Sequence, residues 1–299
     1  MRNRIFKFAK LIFPCIVTIT IGFILFKRVD LTDFRLSFSK ANFPFLLLTV
    51  VCSVFYTLFV CVYKYKYTLR FLGYDIPTNE ARIIRLGSLP LKSITPFKAG
   101  EFFRAIYLRK NFDMPYEKGI YSIFLGYLLR SLVLGIFILA GWLGSIIGLW
   151  VGLLAALSVF VLTVFIFGVK NFRLLFYSFL SELCLFLNYF IVLKAFNIQI
   201  PLTSVFFFVP MILFMESLPI SIAGLGIREG AFILFFLNEA SAGKLVASGI
   251  VASFVNGLIP VFLGLLFMSR FITEFAFKKE AVGLNPGGYL REEKVKSNE

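Results

Sequence analysis

The chain has 299 residues, of which 59% are hydrophobic and 16% charged, with a mean hydropathy of +0.89 and a net charge of +15. That is too apolar for a soluble globule, and the Lys and Arg fall between long apolar runs. This pattern belongs to loops at an anionic membrane surface rather than to a nucleic-acid-binding face. No His occurs, which excludes His-based triads, His metal sites and HxxxxD-type acyl transfer.

Crossing a bilayer takes about twenty apolar residues. After a basic start (Arg2, Arg4, Lys7, Lys10), residues 9–26 form a first span. No small-residue cleavage site follows, so it reads as a retained anchor rather than a signal peptide. Residues 43–63 form a second span, and a basic region covers residues 64–118. Residues 119–168 are too long for one helix and fold as two spans with a turn near Gly141–Gly148. Residues 174–193 make another span. Residues 205–215 and 231–237 are too short to cross alone, and residues 245–268 are the last clear span. The four Cys (Cys15, Cys52, Cys61, Cys184) lie inside apolar runs and read as small buried hydrophobes, not as a disulfide framework. With the N-terminus in the cytoplasm, most loop Lys and Arg fall on the cytoplasmic side, so both termini are expected there.

Within this pattern one motif recurs. SLPLKSITPFKAGEFFR begins at Ser88 and SLPISIAGLGIREGAF at Ser217. Each opens with Ser-Leu-Pro and reaches a Glu (Glu101, Glu229) beside a Gly and near an Arg (Arg104, Arg228). The charge count puts both ends of the first copy on the cytoplasmic side and both ends of the second outside. Each copy must return to its own side, which makes a candidate inverted pair of re-entrant hairpins, about residues 86–104 and 213–237. Irregular backbone at depth is tolerated where protein buries it or where it lines a wet cavity. The breakers Pro90, Pro96, Gly100, Pro219, Gly224 and Gly226 therefore predict a cavity near mid-membrane. The bland alternative is that they only kink ordinary spans.

Charges inside apolar runs sharpen the expectation. Arg130, Glu182 and Glu216 each cost about 2.5–3.5 kcal/mol on insertion scales, so each should pair or face a cavity. A structural Arg130–Glu182 pair is one reading. The functional one has Arg104, Arg130 and Arg228 bind an anionic head group, since a guanidinium offers a planar fork of donors and stays charged. The carboxylates Glu101, Glu182, Glu216 and Glu229 would hold those Arg side chains or exchange protons. Asn188 and Asn256 read as helix–helix hydrogen-bonding groups.

PFKAGEFFRAIYLRK, LPISIAGLGIREGAFILFF followed by VASGIVASFVNGLIPVFLGLL, and YTLRFLGYDI together resemble the flippase-like membrane family. That family is also called the lysylphosphatidylglycerol synthase transmembrane family, and it includes the flippase half of the bacterial multiple peptide resistance factors. The resemblance covers residues 43–268. It implies a polytopic inner-membrane protein handling phospholipids or polyprenyl-phosphate-linked intermediates. Two departures stand out. Members often carry a Glu-Arg pair and then an Asp where this chain has Gly126, Tyr127 and Arg130, and Ser253 replaces an Arg.

The expected fold is thus an all-α polytopic membrane bundle of about six to eight spans, with a transmembrane domain over residues 1–272 and a charged cytoplasmic tail over residues 273–299. About thirty residues follow the last span, too few for a catalytic domain, so lysyl transfer is not expected. The expected function is translocation of an anionic lipid or a polyprenyl-phosphate-linked intermediate across the cytoplasmic membrane. The alternative is a membrane-embedded transferase, or an accessory subunit of envelope-glycan synthesis, using a carboxylate as general base. No nucleotide motif, catalytic constellation or metal-ligand spacing is present, and no cofactor is expected. Membrane lipids are the expected partners and nucleic acid is not.

Overall fold

A computed structural model describes residues 31–217 and 226–276, and these are helical without a strand. The first span and the charged tail beyond residue 276 lie outside the described residues. Among the described residues, five helices are long and apolar enough to cross a membrane: Phe43–Phe71, Tyr116–Ile146, Leu149–Phe167, Val169–Ala195 and Ala242–Glu274. Their outward faces carry large apolar side chains. Trp150, Leu266 and Ile166 are 79, 74 and 73% exposed. Apolar surface of that extent is accounted for by contact with lipid rather than water.

In chain order the helices are α1 (Leu31–Ser39), α2 (Phe43–Phe71), α3 (Thr78–Gly87) and α4 (Leu89–Ile94). A 3-10 turn, Pro96–Phe102, leads into α5 (Phe103–Phe112). Then come α6 (Tyr116–Ile146), α7 (Leu149–Phe167), α8 (Phe172–Ala195), α9 (Leu202–Ser217) and α10 (Ile227–Phe236). The last helix, α11, starts at Ala242 and runs through Ala276, past the expected domain boundary at residue 272. The second span is also longer than expected. α2 continues from Tyr63 to Phe71 and draws Lys64 into the bundle, because Lys64 finds a carboxylate there. The expected turn near Gly141–Gly148 falls at Gly148 (φ 124°), whereas Gly141 lies inside α6.

Two runs of elements share one order: a long helix (α2, α8), a short one (α3, α9), a connection that carries the Ser-Leu-Pro motif, a further short helix (α5, α10) and a long helix (α6, α11). The runs pack crosswise, α3 against α11 and α9 against α6. Glycine makes both approaches close. A methyl group at Gly141 would run into the backbone of Phe206 and Phe207, and one at Gly264 would come within 2.7 Å of the Leu86 carbonyl. α2 and α11 each contain one π-helical turn, Tyr56–Val60 and Phe254–Leu258. Such turns widen a helix locally and cluster at functional sites. The two helices touch beside these turns, where Ser53 Oγ donates to the Val255 carbonyl at 2.6 Å. Asn188 bridges helices as expected, donating from α8 to the Thr49 carbonyl of α2 at 3.0 Å.

At sixteen and ten residues, α9 and α10 are about 24 and 15 Å long, short of the ~30 Å hydrocarbon core. They lie side by side, with Phe208 stacked on Phe235 and Arg228 paired with Glu216. Their approach to α6 supplies a test. Gly141→Ala should lower the melting temperature of the purified protein by forcing α9 off α6, at a cost of about 1–3 kcal/mol. Gly135→Ala, on the same helix with nothing within 4 Å of the new methyl group, should be neutral or stabilising. Equal melting of the two variants would show that the close approach is not limiting.

Candidate functional site

The first broken segment is held in shape by a threonine and a glycine. Thr95 is extended (φ −83°, ψ 136°), which ends α4. Its hydroxyl donates to the Leu91 carbonyl at 2.7 Å and accepts the Gly100 N–H at 2.6 Å. Gly100 packs on the backbone of Leu91 and Lys92, where no Cβ would fit. Pro90, at the start of α4, abuts Gly264. The chain therefore folds back on itself within a dozen residues and leads into α5 by way of Glu101 and Arg104.

The second motif lies between the end of α9 at Ser217 and the start of α10 at Gly226. Pro219 and Gly224 lie outside the described residues. Gly226 has φ 85°, a conformation that L side chains avoid, and starts α10. Its N–H is accepted by Glu229 Oε2 at 2.7 Å, and Glu229 Oε1 accepts the Ser253 hydroxyl at 2.7 Å. Glu229 thus caps a helix start and ties it to α11.

Three ion clusters converge at these breaks. Glu101 pairs with Lys92 and, at 3.3 Å, with Arg104. Arg104 also donates from Nε to Ser88 Oγ at 2.8 Å and covers the Tyr65 ring. Glu182, 1% exposed, pairs with Lys64 at 3.1 Å and with Arg130 at 3.5 Å. Arg130 also donates to the Leu213 carbonyl of α9 at 3.2 Å. Glu216 pairs with Arg228 and accepts the Tyr189 hydroxyl at 2.9 Å, while Arg228 donates to the Ser253 carbonyl at 3.3 Å. Lys98 (φ 57°) crosses from the first segment to the second. It donates to the carbonyls of Glu216 and Ser217 at 3.0 and 2.9 Å, at the C-terminal end of α9 where carbonyls lack helical partners.

These groups wall a chamber of two lobes. Tyr56, Arg85, Lys92, Tyr127 and Arg130 belong to both. The first lobe adds the Glu101 and Glu182 clusters. The second adds Lys98, the Glu216–Arg228 pair and Asn256, whose side-chain amide finds no hydrogen-bond partner among the described residues. Of the residues expected at the site, Glu101, Arg104, Arg130, Glu182, Glu216 and Arg228 all line this chamber, and Glu229 stands behind it as a cap. Asn256 faces the chamber instead of bridging helices.

Sequence reasoning missed Lys64, Arg85, Lys92, Lys98 and Tyr127. The signal for four of them was present, as cations within a few residues of the first Pro/Gly break or of a span end. Taken together, residues 64–118 look like one basic region. With them, the described lining holds seven cationic side chains and three carboxylates. Of the expected departures, Arg130 in place of an Asp adds to that imbalance, whereas Gly126 and Tyr127 in place of a Glu-Arg pair leave the net charge as it was.

Fold and site together define a multi-pass helical membrane protein built around an internal, cation-rich chamber. The chain belongs to the family described as the lysylphosphatidylglycerol synthase TM region, whose sequence profile matches residues 11–175 and 169–264. The match takes in the first span as well as the quoted motifs. No curated protein matches the chain.

Breaking the Glu182 cluster should be costly. Glu182→Gln leaves two cations without their carboxylate and should destabilise by about 3–5 kcal/mol in a denaturation experiment. The double variant Arg130→Gln/Glu182→Gln should recover part of that loss. A double variant no more stable than Glu182→Gln alone would place the cost elsewhere.

Proposed function

We propose that the protein translocates lipids with an anionic head group across the cytoplasmic membrane. The observation that carries this is the excess of cations over carboxylates in a chamber set at the middle of the long helices, where Arg130 and Glu182 lie. A cavity of that charge, flanked by the apolar outer faces of the helices, suits a phosphate-bearing head group whose tails stay in lipid.

In this reading the two broken segments are re-entrant hairpins entering from opposite faces, and the two runs of elements form an inverted repeat. The crosswise packing of α3 on α11 and α9 on α6 supports a two-fold relation between the runs, because such an axis would exchange those pairs. Residues 1–272 act as one transmembrane unit with a cytoplasmic tail after it. In this reading the end bearing the α2–α3 and α5–α6 connections faces the cytoplasm and both termini lie on that side, a reading that the excess of Lys and Arg there supports. Rocking one run against the other would expose the chamber to each side in turn.

The geometry does not favour the catalytic alternative. A general base needs a carboxylate free to take a proton, and Glu101, Glu182 and Glu216 are each bound to a cation.

Liposomes containing the purified protein should move labelled phosphatidylglycerol or prenyl phosphate between leaflets faster than empty vesicles. Arg130→Gln should slow that movement by roughly tenfold, the effect of losing one charge-assisted contact. Rates equal to those of empty vesicles for both lipids would end the translocase reading.

A further inference from the structure

The chamber's charge has a finer structure than its sign. Glu101 and Glu182 each answer two cations, and Glu216 answers one. Arg85 and Lys98 pair with no carboxylate among the described residues, yet both line the second lobe, and Arg85 lines the first as well. Four positive charges are left over, or three if Glu229 behind Arg228 is counted. The undescribed stretch 218–225 carries no charged residue that could alter this balance.

Where the excess sits also matters. The ammonium groups of Lys92 and Lys98 both lie 5.9 Å from the centroid of the Tyr127 ring, one from each side of the Thr95 break. Tyr127 and Arg130 stand where the two lobes meet, with Arg85 and Lys92 also on the shared wall. Two like charges held over one ring repel in a medium of low dielectric, and only Lys92 has a carboxylate to relieve it. An anion lying across the neck would meet Lys98, Lys92, Arg85 and Arg130 together.

A phosphodiester brings one negative charge to that neck and leaves most of the excess unanswered. An ester of diphosphate brings about two to three, by the ionisation of its terminal phosphate near neutral pH. Its two phosphorus centres also span more than one cation. We infer that the chamber is built for a lipid whose head group begins with a diphosphate, lying across the Tyr127 neck with one phosphate toward each lobe. This rests on the translocase reading only for its purpose; the binding itself stands or falls separately.

Calorimetric titration of the full-length protein in detergent would test it, with geranylgeranyl diphosphate, geranylgeranyl monophosphate, short-chain phosphatidylglycerol and inorganic diphosphate as probes. The prenyl diphosphate should bind at least roughly tenfold more tightly than phosphatidylglycerol, with the monophosphate between them. Arg85→Gln and Lys98→Gln should each weaken the diphosphate by roughly tenfold and phosphatidylglycerol by less than about threefold, with Arg85→Lys restoring most of the loss. Both variants leave the three ion clusters intact; Lys98→Gln also gives up its contacts to the end of α9, so a retained cooperative melting transition, rather than an unchanged melting temperature, is the check that it folds.

Phosphatidylglycerol binding as tightly as the prenyl diphosphate, or equal weakening of all probes in the variants, would overturn the inference. Inorganic diphosphate binding as tightly as the lipid would assign the neck to a free anion and overturn the lipid-linked form. Tight diphosphate binding without movement in liposomes would sink the translocase reading alone. Movement of phosphatidylglycerol without diphosphate preference would sink this inference alone.

Discussion

Glu182 is the constraint on which the rest of the bundle depends. It lies in α8, almost wholly buried, and holds Lys64 from α2 and Arg130 from α6. A carboxylate in a bilayer without partners would be costly. Here its two partners come from two other long helices, so satisfying one charge fixes the mutual position of three spans. Arg130 then reaches on to the Leu213 carbonyl and brings in α9. The arrangement overcompensates the carboxylate, leaving a net positive wall where a neutral one would have been easier to bury.

The four charged connections around the chamber differ in what they join. Lys92–Glu101–Arg104 lies within the first run of elements, and Glu216–Arg228 lies within the second. The Glu182 cluster and the Lys98 contact to the end of α9 join one run to the other. In the proposed rocking motion the first two would travel as rigid parts, and the last two would have to be remade. Glycine packing at Gly141 and Gly264 limits how far the crosswise helices can separate. The paired π-helical turns, joined through Ser53 and Val255, mark where the two long helices widen beside the chamber.

The spans were legible because an apolar run of twenty residues has few other uses, and α6, α7 and α8 begin and end within a few residues of the expected limits. The Arg130–Glu182 contact was legible for a related reason: a charge in an apolar run must find a partner. Lys64, Arg85, Lys92 and Lys98 lie near a span end or the first Pro/Gly break, but average polarity over residues 64–118 cannot separate a cation turned inward from one in water. For Lys92 and Lys98 that difference is made by the fold-back at Thr95 and Gly100, and for Lys64 by Glu182 on the facing helix. Glu229 was read as a cavity carboxylate, although its place three residues after a glycine at a helix start is a capping signal. Asn256 could not be assigned from sequence, since an Asn in an apolar helix serves equally for bridging helices or for facing a cavity.

The central claim is that a chamber at mid-bundle opens to each side of the membrane in turn. Cys61 lines both lobes and is a native probe of that access. A variant keeping Cys61 and replacing Cys15, Cys52 and Cys184 with Ser can be labelled with a membrane-impermeant maleimide in oriented vesicles. Alternating access predicts that Cys61 reacts from both the cytoplasmic and the outer side, and that a bound anionic lipid protects it from each. Labelling only by membrane-permeant reagents, with none from either aqueous side, would contradict the account.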